Sequence, residues 1–188
     1  MTNLAIGLFA ATSFFLAAAP AVPDTKVPHR TDPIAVAIRK LQPALKPARA
    51  QQLARSFRNA SVSCGVSWQL LVSIAFHESS LGLHKVNAAT QDFGLMMINQ
   101  KTSLRYGLAQ DTLLTDDAYS LAAACRVLSD NRARYGSKLP YWIGLYRSGT
   151  RLGEARIRDN AKRYDRMVRS TAAQIGYLNG WHTENDQR

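Results

Sequence analysis

Apolar residues recur three and four positions apart along most of the chain after residue 47. Residues 48–62 carry one apolar stripe at this spacing, whereas residues 68–79 are apolar around most of a helix circumference. The first pattern predicts a helix with one buried face, and the second predicts a helix in the centre of the domain. Ser67 is a suitable N-cap for the second helix, because its hydroxyl can accept a hydrogen bond from the first turn.

The pattern after residue 80 also favours helices. Residues 87–94 have the composition of a loop or hairpin, and Gly94 before an apolar segment indicates a close backbone approach to a neighbouring element or a ligand. Residues 108–115 are expected to form a connecting loop. The predicted helices cover residues 102–106, a long segment capped at residue 115 or 116 and stopped at Gly136, residues 140–146, and a last helix from residue 150. The chain is therefore predicted to fold as one mainly α domain.

The first 47 residues differ from the rest of the chain. Residues 4–19 carry no charge and precede small residues around Pro20, which is typical of a secretory signal; a retained membrane anchor is the alternative. Residues 20–47 contain all but one of the seven prolines, which favours an extended linker with at most one short helix. The predicted divisions are a signal peptide or signal anchor (1–21), a linker (22–47), a folded domain (48–178) and a C-terminal tail (179–188).

Export would place the two cysteines in an oxidising compartment. Cys64 and Cys125 can form only one internal pair, so a disulfide is predicted, with two buried free thiols as the alternative. The cysteines and the four histidines do not have the spacing of metal ligands, and no metal or other cofactor is expected.

The net charge of +11 and the pI of about 10.1 indicate an anionic partner or a solvated basic surface. Nucleic acid, a membrane surface and an acidic wall polymer are all compatible with this charge. Eight Arg or Lys residues lie between residues 147 and 169, where a solvated helix face is expected. No nucleotide-binding loop or base-reading motif accompanies them, so a nucleic-acid partner is not expected.

Two carboxylates are the candidates for chemistry. Glu78 ends the central helix on the same face as Leu71 and Ile74, and burial there would raise the pKa of its carboxyl. Asp92 follows fourteen residues later, before the apolar segment. Two carboxylates in one groove are what glycosidic-bond cleavage requires. The alternatives are a buried glutamate paired with an arginine and an aspartate that caps a loop, and His77 is expected to be structural or at the surface.

Three motifs in order resemble the lysozyme-like superfamily, most closely its small exported lytic transglycosylases of secretion and conjugation systems or phages. Glu78-Ser79 is similar to the catalytic Glu-Ser of that family. Residues 94–99, Gly-Leu-Met-Met-Ile-Asn, resemble its Gly-Leu-Met-Gln-Ile-Asn segment. Residues 146–149, Tyr-Arg-Ser-Gly, resemble its Tyr-Asn-Ala-Gly. The resemblance implies a helix-dominated, lysozyme-like α+β domain with a substrate groove.

The resemblance also implies roles for individual residues. Glu78 would protonate the glycosidic oxygen between N-acetylmuramic acid and N-acetylglucosamine, and would then accept the proton of the muramyl C6 hydroxyl as a 1,6-anhydro ring closes. Residues 90–94 also resemble the Ser-Thr-Asp-Tyr-Gly of animal-type lysozymes, in which the aspartate is the second catalytic carboxylate; here it is Asp92. The residues implied in substrate binding or in orienting the carboxylate are Ser79, Met96, Asn99 and Tyr146.

The chain departs from the family pattern at two places in the expected groove. Met97 stands where the family has Gln, and Arg147-Ser148 stands where it has Asn-Ala. Substrate contacts are therefore expected to differ there, or activity to be reduced.

Three functions remain open at this point. The first is a lytic transglycosylase, the second is a muramidase that uses water with Glu78 and Asp92, and the third is a non-catalytic wall-binding component of an envelope machine or virion. Peptidoglycan is the expected partner in each case, and the resemblance adds a secretion or conjugation apparatus or a virion. The protein is expected to be a monomer that is exported to the periplasm or secreted.

Overall fold

A computed structural model of the chain describes residues 32–149 and 153–178. Helices make up most of these residues, and three short strands form one antiparallel sheet in the order β1-β2-β3. The elements in chain order are α1 (Pro33–Leu41), α2 (Pro47–Cys64), α3 (Trp68–Ser79), β1 (Val86–Asn87), β2 (Asp92–Phe93), β3 (Ile98–Asn99), α4 (Gln100–Tyr106), α5 (Gln110–Thr115), α6 (Asp117–Tyr135), a 3₁₀ helix (Trp142–Gly144), α7 (Leu145–Ser148) and α8 (Ala155–Leu178). The predicted mainly α class is confirmed.

Helix α3 is the central element, as its apolar circumference predicts. Leu71, Ile74 and Ala75 are completely buried, and the helix packs between α2 and α8. The Ser67 hydroxyl accepts a hydrogen bond of 3.4 Å from the Leu70 amide, so the predicted N-cap is present. Because α3 is enclosed on most sides, Glu78 in its last turn is held in a fixed position relative to the rest of the core.

The helical domain begins before residue 48. Helix α1 lies inside the segment expected to be a linker, and its Ile34 and Ile38 are buried in the main core. The side chain of Asp32 caps the helix and also accepts a hydrogen bond of 2.7 Å from Arg58 on α2. Pro33 is in the first turn, where the missing amide proton costs nothing. Residues 33–47 therefore belong to the folded domain rather than to an extended linker, and Pro47 likewise starts α2.

Three other expectations about local structure are changed. The expected loop at residues 108–115 contains helix α5, with Leu113 fully buried. The helix predicted at 140–146 is divided into the 3₁₀ helix and α7. The last helix begins at Ala155 rather than at residue 150, which lies outside the described residues. The leader expected at 1–21 and the tail at 179–188 also lie outside them.

The predicted disulfide between Cys64 and Cys125 is confirmed, with a Cα–Cα distance of 5.7 Å. It joins the last residue of α2 to the middle of α6, close to the start of α3. In the chain-entropy model, a closed loop of about sixty residues stabilises the fold by about 4 kcal/mol.

Within residues 32–149 and 153–178, no helix is both long enough and apolar enough to cross a membrane.

Candidate active site

The C-terminal end of α3, the small sheet and α7 surround a cavity of about 400 Å³, which we call the catalytic cavity. Glu78 lines it from α3, Asp92 and Asn99 line it from the sheet, and Tyr146 lines it from α7. The residues that the sequence separates by nearly seventy positions are therefore brought to one site.

The pKa of the Glu78 carboxyl is raised above its usual value. Burial is the largest influence on its pKa and raises it above the usual value, and the charge of Asp92 raises it further. Tyr164 and Arg147 act in the opposite direction but do not cancel the effect of burial. Its Oε1 atom is buried and has no hydrogen-bond partner among the described residues. A carboxyl with a raised pKa at the wall of a cavity is suited to general-acid chemistry.

Two tyrosine hydroxyls lie near Glu78. Burial, followed by the charge of Glu78, raises the pKa of both Tyr146 and Tyr164 well above the usual value, so both keep their protons at neutral pH. The Tyr146 hydroxyl donates a hydrogen bond of 2.6 Å to the Met96 carbonyl; the resemblance implied a bond to the carboxylate or to the nearby sugar. Tyr164 is only 3% exposed and influences the pKa of Glu78 as a nearby donor. Within the described residues its hydroxyl has no other partner, and it lies close enough to the Glu78 carboxyl for hydrogen bonding between them to lower the pKa of that carboxyl.

Asp92 is fixed by its own hairpin. It lies opposite Asn99 in the β2–β3 register, and the Asn99 amide donates a hydrogen bond of 2.8 Å to its Oδ1. The Thr90 hydroxyl donates to Oδ2 at 2.5 Å. These two donors satisfy the carboxylate and orient it at the cavity wall, where its charge also acts on Glu78 and Tyr146. Asp92 therefore stabilises the β2–β3 hairpin through these hydrogen bonds and also lines the cavity.

Two of the residues expected to touch substrate are instead part of the core. Ser79 is 0% exposed; its hydroxyl donates to the Leu95 carbonyl at 2.6 Å and accepts from the Gly82 amide at 2.9 Å. Met96 is also 0% exposed, because the chain turns its side chain inward between β2 and β3. The neighbouring Met97, which has a positive φ of 48°, lines the cavity in its place.

Three further residues contribute to the site. Arg147, noted in the sequence only as a departure from the family pattern, lines the cavity with its Cζ 5.6 Å from the centre of the Tyr164 ring. His77 also lines it, and its Nε2 is 2.9 Å from the Thr171 hydroxyl on α8. Burial, followed by the charge of Arg147, lowers the pKa of His77. The sequence offered one signal for Tyr164, a polar-tipped residue in the buried stripe of α8 with Ala161 and Val168.

The part of the chain that the structure describes contains no group of three or more His, Cys, Asp or Glu side chains that could hold a metal ion.

Comparison with known proteins places this arrangement in a family. The chain matches the family model of the transglycosylase SLT domain over residues 55–171, which is more than half of its length. No curated protein and no solved structure gives a significant match. The matched range contains Glu78, Asp92 and Tyr146, and the helix-dominated domain with its small sheet agrees with the lysozyme-like fold that the three motifs predict. We conclude that the chain belongs to the transglycosylase SLT domain family.

Proposed function

We propose that the protein cleaves the β-1,4 bond between N-acetylmuramic acid and N-acetylglucosamine in peptidoglycan and leaves a 1,6-anhydro-muramyl end. Family membership supports lytic transglycosylase activity on peptidoglycan in general. The observation that carries the specific reaction is the Glu78 carboxyl, which lines the cavity with a raised pKa and a buried, unused oxygen.

In the first step Glu78 acts as the general acid. Its proton passes to the glycosidic oxygen as the bond from that oxygen to the muramyl C1 breaks, so the leaving sugar departs as a neutral alcohol. Positive charge develops at C1. Asp92, held in place by Asn99 and Thr90, supplies a negative charge at the same cavity and stabilises that charge electrostatically.

In the second step Glu78 acts as the base. Its carboxylate accepts the proton of the muramyl C6 hydroxyl while the C6 oxygen bonds to C1, so the carboxyl returns to its protonated form and no water is consumed. Tyr164 is a neutral donor near the carboxylate, and we propose that it stabilises the ionised form between the two steps. Tyr146 keeps the groove wall in place through the Met96 carbonyl.

Mass spectrometry of the soluble muropeptides released from purified peptidoglycan tests this proposal. The wild-type protein is expected to release anhydro-muramyl ends, and Glu78→Gln should lower the rate at least about 100-fold, because general acid–base catalysis contributes that much or more. Asp92→Asn is expected to slow the reaction less. Asp111→Asn is the matched control, since Asp111 is exposed on α5 and lies outside the cavity.

Two other results would overturn the proposal in different ways. Reducing ends that are one water heavier, lost in both Glu78→Gln and Asp92→Asn, would identify a two-carboxylate muramidase. No release by a folded wild-type protein that sediments with the wall would identify a non-catalytic wall-binding component.

We also propose that the protein acts outside the cytoplasm. The Cys64–Cys125 disulfide supports this location, because disulfides persist in oxidising compartments. The net charge of +11 would attract the protein to the anionic cell wall, and a secretion or conjugation apparatus or a virion is proposed as a further partner. Cell fractionation, with thiol alkylation to detect the disulfide, tests the location; recovery of reduced protein in the cytoplasm alone would reject it.

A further inference from the structure

A second cavity of about 470 Å³ adjoins the catalytic cavity. Arg147 lines both of them, so they meet at its side chain. The second cavity is otherwise formed by residues of α8 and by Ser148. Tyr164 lines this second cavity and is also a neighbour of Glu78. The Tyr164 side chain therefore lies between a group bound in the second cavity and the Glu78 carboxyl.

The second cavity differs from the catalytic cavity in charge. Arg147 and Arg163 line it, and its described lining contains no carboxylate. Both arginines are exposed, and neither has an ion-pair partner within residues 32–149 and 153–178. Asn160 and Ser148 add polar groups at the same cavity. Two unpaired guanidinium groups beside neutral polar side chains suit a carboxylate, which they can bind through paired hydrogen bonds.

Packing keeps one of these cations in position. The Arg147 guanidinium lies over the Tyr164 ring, with its Cζ 5.6 Å from the ring centre, and α7 ends one residue later at Ser148. A guanidinium that is already placed against an aromatic ring loses less freedom on binding an anion. Arg147 stands where the Tyr-Asn-Ala-Gly motif that this segment resembles has Asn, so the motif itself does not supply this charge.

We propose that this second cavity, the carboxylate subsite, binds a carboxylate carried on the lactyl substituent of a muramyl residue while the glycan occupies the catalytic cavity. The proposal rests on the proposed function, because it takes the peptidoglycan strand as the ligand. The lactyl group either ends in a free carboxylate or continues into a stem peptide that has carboxylates of its own. Either source supplies the anion, and Arg147 at the junction contacts substrate from both cavities.

The subsite would make the protein selective for strands that carry a carboxylate near the cleaved bond. Binding measurements in the Glu78→Gln background test this without depending on turnover. Three labelled ligands of equal length are compared: peptide-substituted glycan strands, strands stripped of peptide by an amidase so that only lactyl carboxylates remain, and chitin oligomers, which have no carboxylate.

Arg163→Gln is the informative variant, because Arg163 lines only the carboxylate subsite. We expect it to weaken binding of carboxylate-bearing strands about five- to tenfold and to leave chitin oligomers unaffected, in line with the loss of one charge-assisted hydrogen-bond pair. Arg55→Gln removes the same charge from an exposed position on α2 outside both cavities and should change neither affinity. Circular dichroism confirms that both variants are folded.

Each outcome decides the proposal. A loss confined to peptide-substituted strands identifies the stem peptide as the carboxylate source, and a loss confined to stripped strands identifies the lactyl carboxylate, which is an amide in the other ligand. An equal loss with both shows that the subsite accepts a carboxylate from either source. No difference between Arg163→Gln and Arg55→Gln on carboxylate-bearing strands, or an equal loss with chitin oligomers, overturns it. If the wild-type protein cleaves no strand while the Arg163 effect persists, the proposed enzymatic function fails and the carboxylate subsite stands.

Discussion

The Ser79 hydroxyl donates a hydrogen bond of 2.6 Å to the main-chain carbonyl of Leu95. This contact joins the residue after Glu78 to the segment that forms the opposite wall of the catalytic cavity. The hydroxyl also accepts from the Gly82 amide, so one side chain satisfies backbone groups of two segments in a fully buried position. The position of Glu78 relative to the sheet therefore depends on a residue that does not reach the cavity.

Replacing Ser79 with Ala should consequently reduce stability. The Leu95 carbonyl would lose the hydroxyl donor, which costs about 1–3 kcal/mol at a buried position, whereas the Gly82 amide would keep its bond to the Ser79 main-chain carbonyl. Urea unfolding measures the loss, and Ser170→Ala, an exposed position on α8, is the matched control. A stability equal to that of the control would mean that the buried groups find other partners. We expect kcat to fall in parallel, because the carboxyl and the groove wall are no longer held together.

The pH dependence of the proposed reaction should follow the protonation of Glu78. A general acid must carry its proton when substrate binds, so kcat/KM falls as the pH rises through the folded pKa of this carboxyl. Arg147 lowers that pKa, whereas burial and Asp92 raise it. Arg147→Gln should therefore move the falling limb of the profile to higher pH, whatever it does to the maximum rate. His77→Asn is the control for the second titrating group at the cavity. A limb that moves to lower pH, or follows His77 instead, would contradict the assignment.

The same carboxyl should also limit the stability of the fold. Its pKa is raised above the unfolded value, so its favourable contribution is complete below that value and is lost as the pH rises through the folded pKa. Glu78→Gln cannot ionise and avoids this loss. We expect the variant to have the higher free energy of unfolding above the folded pKa, with the difference shrinking as the pH falls through that pKa and disappearing below a pH of about 4. Denaturant unfolding at several pH values measures it, and a difference independent of pH would show that packing rather than ionisation is responsible.

The sequence could predict the position of a site residue only where neighbouring residues in the chain indicate that position. Glu78 could be placed because helical periodicity of α3 fixes its face, and Gly94 because a glycine before an apolar run indicates a close approach. The close approach is to α5 and α6: a Cβ on Gly94 would lie 2.3 Å from the Leu113 carbonyl and 2.8 Å from the Ser120 hydroxyl.

Tertiary packing decides the remaining features, which local patterns do not encode. Met96 and Met97 are chemically identical, but Met96 is buried, whereas Met97, which has a positive φ, lines the cavity. Helix α1 was obscured by the prolines around it, because proline at a first turn and proline in a linker give the same local signal. Tyr164 is seventy or more residues from both carboxylates in sequence, so its place beside Glu78 depends on the packing of α8 against α3.

Removing the disulfide should lower stability without dismantling the catalytic cavity. Neither Cys64 nor Cys125 lines that cavity, and the bond acts mainly by restricting the unfolded chain. The double variant Cys64→Ala/Cys125→Ala is expected to lose about 3–4 kcal/mol in the free energy of unfolding. Reduction of the wild-type protein provides the control, since it should give a similar loss without changing the side-chain volume. Activity of the folded variant at low temperature should stay near that of the wild-type protein; a large loss would mean that the bond also positions α3.

Steric contacts, in addition to the backbone conformation, should make Gly94 impossible to replace without a loss of stability. Gly94 and Gly107 both have positive φ values, 85° and 64°, but a Cβ on Gly107 would meet open space. Gly107→Ala should therefore cost only the left-handed backbone penalty of about 1–2 kcal/mol. Gly94→Ala adds a collision with the Leu113 carbonyl and the Ser120 hydroxyl, and Ser120 also accepts a hydrogen bond from the Met96 amide.

We expect Gly94→Ala to destabilise the fold by at least about 2 kcal/mol more than Gly107→Ala, in the range of overpacked core positions. Parallel urea unfolding of the two variants measures the difference. Because Gly94 begins the turn between β2 and β3, hydrogen exchange at the Met96 and Met97 amides, which are bonded to the Ser120 hydroxyl and the Gly94 carbonyl, should also become faster in Gly94→Ala alone. Equal losses of stability in the two variants would show that backbone conformation is the whole reason for glycine at residue 94, and that the close approach to α5 can relax without cost.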